Sequence, residues 1–347
     1  MKLRLFRLVA IAVTGIVLST LAADSPPAPP PVKIIFDTDI GNDVDDALAL
    51  GLLHALADRG ACELLGVTIT RSDELAGPFV DAVNTFYGRP GLPIGCIRAK
   101  PDPTPSKFLP LAEVRDGDHL RYPHALKRSS DAPNALRLLR QLLVAQPDGS
   151  VVLVQVGYFS NFAALLDTPA DALSPLTGRD LVKQKVKRLS VMAGAFQTIE
   201  NNKRFLEFNV CSDLPAAQKL ARDWPTPIVW SGFEIGIALP YPAASIERDF
   251  RYVAHHPLAE AYQLYLPTPH ERPTWDLTSA LYAVQPDRGY FDLSDAGAVT
   301  VEADGFTRFT PQPNGRDRFL KLDATEVVRV REALVQLCSQ PPKSMRK

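Results

Sequence analysis

Short, continuous apolar runs separated by amphipathic stretches constrain this 347-residue chain more than any other feature. Val32 to Phe36 (VKIIF), Leu64 to Thr70 (LLGVTIT), Leu92 to Ile97, Val151 to Val156 (VVLVQV), Leu189 to Ala193 and Pro227 to Trp230 read as strands. Asp45 to Leu56, Phe79 to Tyr87, Asn134 to Val144 and Ala216 to Ala221 between them carry helical periodicity. A strand that is apolar on both faces must be covered on both, which calls for parallel pairing with helices above and below. The pattern predicts an α/β fold with a mostly parallel central sheet flanked by helices, an open Rossmann-like sheet. Its ligand crevice should lie at the carboxyl ends of the strands. Ala298 to Glu302 and Phe306 to Thr310 flank Asp304-Gly305 and predict a small C-terminal β-hairpin, followed by a helix over Thr325 to Leu337. Ala99 to Ser129, rich in Pro and charge, reads as a long loop. With no internal repeat, residues 32–347 are expected to form a single domain.

The N-terminus reads differently. Lys2, Arg4 and Arg7 precede an apolar run from Leu8 to Leu21, and Ala22 and Ala23 offer small residues for cleavage. Residues 1–23 are expected to be an export signal, shorter than a membrane span. Residues 24–31 (with SPPAPPP) form a stiff Pro-rich spacer. The expectation is a periplasmic or secreted protein with no stable membrane association after cleavage. A formal net charge of -1, without a basic run, argues against nucleic acid as a partner and leaves small molecules open. Cys62, Cys96, Cys211 and Cys338 match no zinc spacing; buried free thiols are the expected reading, although an oxidising compartment would permit a disulfide.

The chemistry concentrates in Asp37-Thr38-Asp39-Ile40-Gly41-Asn42-Asp43-Val44-Asp45-Asp46, five carboxylates in ten residues between a buried strand and a helix. A helix N-terminus tolerates negative charge, which accounts for some of them. Asp37 and Asp39 at the strand end repel one another unless a cation binds, and hard oxygen donors suit Ca2+ or Mg2+. An EF-hand fails, because the twelfth position from Asp37 or Asp39 is Leu48 or Leu50 rather than Glu. A haloacid-dehalogenase-type phosphatase would want Thr or Val where Gly41 stands; it is the rival reading, with Mg2+ and a phospho-aspartate at Asp37.

The loop resembles the N-terminal signature of the inosine-uridine-preferring nucleoside hydrolases, Asp-x-Asp-Pro-Gly-x-Asp-Asp-Ala, with Ile40 for Pro and two extra residues before Asp45-Asp46-Ala47. Further matches follow in order: Val156-Gly157-Tyr158-Phe159-Ser160-Asn161, Val191-Met192-Ala193-Gly194, Glu207-Phe208-Asn209 with Asp213, and Trp275-Asp276 where the family has His-Asp. The resemblance implies Ca2+ held by Asp39, Asp46, Asp276 and the main-chain carbonyl of Val156, with Asp39 also the catalytic base. It implies a ribose held by Asp45, Asn201, Glu207 and Asn209 beside Met192, and a homo-oligomer. Carboxylates and hydroxyl-binding groups suit N-glycosidic cleavage, whose transition state is an oxocarbenium-like sugar. The extra residues leave open whether Asp43 takes one of these tasks.

Two positions depart from the family pattern. Thr70-Arg71-Ser72-Asp73 replaces a segment with an Asn for the ribose, and Trp275 replaces the His that protonates the leaving base. Trp275 could stack on the base or pack in the core; His124, His255, His256 and His270 lie in loop-like segments that could supply an acid. The expected activity is calcium-dependent hydrolysis of ribonucleosides, purines favoured. The non-enzymatic alternative is an exported nucleoside- or sugar-binding protein.

Overall fold

In the computed structural model, which describes residues 30–100 and 102–346, the apolar runs become strands of one sheet. The expected export signal and most of the spacer lie outside the described residues. The strands along its main path are β1 (Val32–Thr38), β2 (Cys62–Ile69), β3 (Ile94–Cys96), β4 (Val151–Gln155), β5 (Val186–Met192), β6 (Ile228–Ser231), β7 (Gly297–Val301), β8 (Thr307–Pro311) and β9 (Asp317–Lys321), with the short strand Asp292–Leu293 paired to β9 off that path. Their order across the sheet is β8-β7-β9-β6-β5-β4-β1-β2-β3, and every pairing from β9 to β3 is parallel.

Alternation along each strand divides its side chains between two cores. Ile34, Phe36, Val152 and Val154 enter one, with helix α1 (Asp45–Asp58), helix α2 (Trp275–Val284) and helix α3 (Ala324–Cys338). Ile35, Val151 and Leu153 enter the other, beneath the helices Ala135–Val144, Gly178–Lys185 and Leu214–Asp223. From β1 the chain winds outward through β2 to β3, then returns to the opposite side of β1 with β4. Connections therefore leave the carboxyl ends of β1 and β4 in opposite directions, opening a crevice between them.

Two features differ from the sequence expectation. The C-terminal hairpin β7–β8 is no appendage: β9 pairs parallel to β6 and antiparallel to β7, joining the hairpin to the central sheet. The charged sequence Asp317-Arg318-Phe319-Leu320-Lys321 conceals this strand, because Asp317 is itself buried, paired with Arg316 and accepting from the Val299 amide at 2.8 Å. Helix α2 gives no amphipathic signal because every residue from Asp276 to Val284 is buried. The four thiols are unpaired; three are buried, but Cys211 is exposed. No described helix is long and apolar enough to cross a membrane.

Candidate active site

The acidic loop is shaped by its own backbone. Gly41 holds a φ of +111°, which L side chains rarely adopt, and the Asn42 amide donates to the Asp39 carbonyl at 3.3 Å. Thr38 Oγ1 accepts from the Ile40 amide at 3.0 Å and donates to the Asp46 carboxylate, tying the end of β1 to the first turn of α1. A methyl group at Gly157, just beyond β4, would overlap the Asp39 amide; glycine there lets the two strand exits touch.

Asp39, Asp45, Asp46 and Asp276 consequently converge on one cavity of about 360 Å³. Carboxylate oxygens of Asp45, Asp46 and Asp276 lie within 4.8 Å of one another, and Asp45 Oδ2 accepts the Asp276 amide at 3.1 Å. All four are buried. Burial is the main cause that pushes Asp39 up to about 7, reinforced by the charge of Asp43 and opposed by Arg71. Burial likewise raises Asp45, Asp46 and Asp276 well above the usual carboxylate range, and their mutual repulsion adds to it. Such a cluster binds protons or a cation, and its all-oxygen donors fit a hard divalent ion. Asp45, assigned to the sugar by the resemblance, sits in the tightest triplet, whereas Asp39 lines the cavity beside it.

A polar wall comes from the exits of β4 and β5. Asn209 Nδ2 donates to the Val156 carbonyl at 3.0 Å and to the Met192 carbonyl at 3.3 Å, bridging the two strand ends. Glu207 caps the short helix Phe208–Ser212, accepting from the Asn209 amide at 2.9 Å and from the Val210 and Gly194 amides at 3.1 Å each. Met192, Glu207 and Asn209 all line the cavity.

The rest of the lining is aromatic and carries one cation. Phe208, Phe233, Tyr265, Arg272 and Trp275 belong to it. Trp275 Nε1 donates to the Phe233 carbonyl at 3.0 Å, and the two rings lie 5.2 Å apart. Arg272 lies 5.0 Å from the Trp275 ring centre and 5.1 Å from that of Tyr265, while its Nε reaches both Asp43 oxygens at 3.0 Å.

Several expectations fail on placement. Asn201 stands exposed in a left-handed turn (φ 69°) and does not line the cavity. None of the four loop histidines lines it either. His256 Nδ1 caps the helix Pro257–Tyr265, and burial depresses the ring to about 3. His255 pairs with Glu260 at 2.6 Å, His124 meets the Tyr122 carbonyl, and His270 packs near Tyr262. Asp43 does line the cavity, its carboxylate held by Arg272 beside Asp45, whereas Arg71 is buried against Asp102 and Thr104 outside it. Asp37 is fully buried below the site; Thr68 Oγ1 and Asn161 Nδ2 (2.8 Å) both donate to it. A carboxylate so enclosed offers no path to a phosphate ester, which removes the support for the phosphatase reading. Sequence reasoning missed Asn42, Phe208, Phe233, Tyr265 and Arg272. Of these, only Asn42 and Phe208 stood inside a motif.

Residues 34–321 match the family model described as inosine-uridine preferring nucleoside hydrolase. An uncharacterized protein of Schizosaccharomyces pombe is 28% identical over 228 residues; the match covers 62% of this chain and 66% of that protein. A solved inosine-uridine preferring nucleoside hydrolase from Bacillus anthracis superposes with a TM-score of 0.65 at 16% identity, covering 89% of this chain and 99% of its own. A purine-preferring ribonucleoside hydrolase from Gardnerella vaginalis gives 0.64 at 17% identity, covering 88% and 99%. At such identities the two structures establish the fold.

Proposed function

Since the chain belongs to the inosine-uridine preferring nucleoside hydrolase family, we propose that it hydrolyses the N-glycosidic bond of ribonucleosides, purine nucleosides foremost, with Ca2+ as cofactor. The observation carrying this reading is the convergence of Asp39, Asp45, Asp46 and Asp276 on one cavity that aromatic residues also line. Asp39, Asp46, Asp276 and the Val156 carbonyl would hold the ion, with Asp45 beside them. A bound divalent cation neutralises crowded carboxylates and polarises water.

The protein's own groups do the rest. Asp39 takes a proton from the attacking water, which the bound cation makes more acidic. Water oxygen bonds to the sugar's anomeric carbon as the bond to the base nitrogen breaks, and the base leaves with that electron pair. Asp45 and Asn209 receive ribose hydroxyls. Glu207 carries three backbone amides and acts chiefly by holding Asn209 in place. Met192 packs against the sugar, and Trp275 offers its ring to a purine. Export through residues 1–23 and assembly as a homo-oligomer complete the proposal. The test is a panel of ribonucleosides incubated with purified protein and Ca2+, followed by assay of free base and reducing sugar. Binding without release of base, or no reaction at all, would overturn hydrolysis.

A further inference from the structure

We propose that Arg272, held by Asp43, binds the leaving base and selects 6-oxopurines; this rests on the nucleoside-hydrolase reading above. Asp43 occupies the Nε and Nη2 edge of the guanidinium, while Nη1 has no hydrogen-bond partner among the described residues. The head lies beside the faces of Trp275 and Tyr265, and all four residues line the cavity. This arrangement fixes a long side chain that is otherwise costly to order. It also leaves two N–H groups without a protein partner where Arg272 lines the cavity.

A purine nucleoside with its sugar at the carboxylates would bring its base against Trp275, Tyr265 and Arg272, which line the same cavity. Hypoxanthine and guanine offer two adjacent acceptors, N7 and O6, whereas adenine offers N7 beside an amino donor. Guanidinium donors therefore match the first pair and meet a donor in the second. The match strengthens during reaction, because the electron pair of the broken glycosidic bond leaves with the base and spreads onto N7 and O6. Arg272 remains protonated throughout, so it stabilises that charge while the proton reaching the base comes from solvent. Asp43 is a positioning residue: it touches the arginine, and the arginine touches the base.

The test compares kcat/KM for inosine, adenosine and purine riboside, which has the same ring system without O6, using wild type, Arg272→Gln, Asp43→Asn and the double variant. Wild type should prefer inosine to both other substrates. Arg272→Gln should lose roughly 10- to 100-fold on inosine, the size of a bidentate arginine–purine contact, and no more than roughly 3-fold on purine riboside. Asp43→Asn should shift the same ratio part of the way, and the double variant should fall no lower than Arg272→Gln alone. If Arg272→Gln does not fold, the wild-type ratios decide: no preference for inosine overturns the proposal. Equal losses on inosine and purine riboside overturn the Arg272 assignment while leaving hydrolysis intact. Release of base from no ribonucleoside overturns the underlying reading and this one with it.

Discussion

The carboxylates and the aromatic lining of the cavity are built by different means. Asp39, Asp45, Asp46 and Asp276 are nearly inaccessible, and three of the four sit within one turn of β1 or the start of α1. The aromatic lining is assembled from loops and helix starts far apart in the chain: Asp43 and Arg272 are separated by 229 positions, and Phe208 is 55% exposed. Close packing fixes the carboxylates, so small changes there should be severe. The aromatic lining depends on a few aromatic and charged contacts, each of modest strength, so its residues should tune which base is accepted.

The sharpest way to break this contrast is Asp39→Asn. That substitution keeps the shape and removes the proposed proton acceptor, so nucleoside turnover should fall by roughly 10²- to 10⁴-fold, the usual range for losing a general base. Steady-state assays on inosine check it. A loss of only a few fold would place Asp39 with the tuning residues and refute the division between the two groups.

Metal removal comes next. Asp37 and Asp39 are both pushed up to about 7 from 3.8, with burial the leading cause. A raised folded-state value means that the folded form holds its proton longer than the unfolded form. In chelated protein the associated stability is complete below about pH 4 and is lost as the pH rises through 7. A cation bound only by the folded form offsets that loss, by about 2.7 kcal/mol at one hundred times Kd. Melting curves of chelated protein should therefore fall between pH 5 and pH 8, and Ca2+ should restore Tm mainly at pH 8, along with activity. Identical curves with and without Ca2+ would remove the ion from the site.

Legibility in the sequence follows the same division. Asp37 to Asp46 is contiguous, so the junction of strand, loop and helix and its carboxylates could be read directly, and the apolar runs predicted the parallel sheet. Asp276 was reachable only through resemblance, because the buried helix α2 that presents it shows no polar face. Arg272 carried no signal at all: it stands among charged and proline residues at 269–273, and its partner is distant in sequence. Phe233 and Tyr265 read as ordinary apolar residues. Asn201 misled because the resemblance supplied a role without a position, and its left-handed turn carries it into solvent.

The smallest expected effect tests the aromatic lining directly. Trp275 touches Phe233 and Arg272, and a methyl at Gly236 would overlap its indole, so the ring is firmly held where it lines the cavity. An aromatic pair adds about 0.5–1.5 kcal/mol beyond the area it buries. Trp275→Ala should therefore lower kcat/KM for purine nucleosides by roughly 3- to 10-fold more than for 4-nitrophenyl riboside, whose leaving group needs neither stacking nor a proton. Both substrates share the ribose and the carboxylates, so any damage spreading to the carboxylates reduces them together and cancels in the ratio. A ratio that stays constant while both rates fall would mean that Trp275 supports the fold and that base recognition lies with Arg272 and Tyr265 alone.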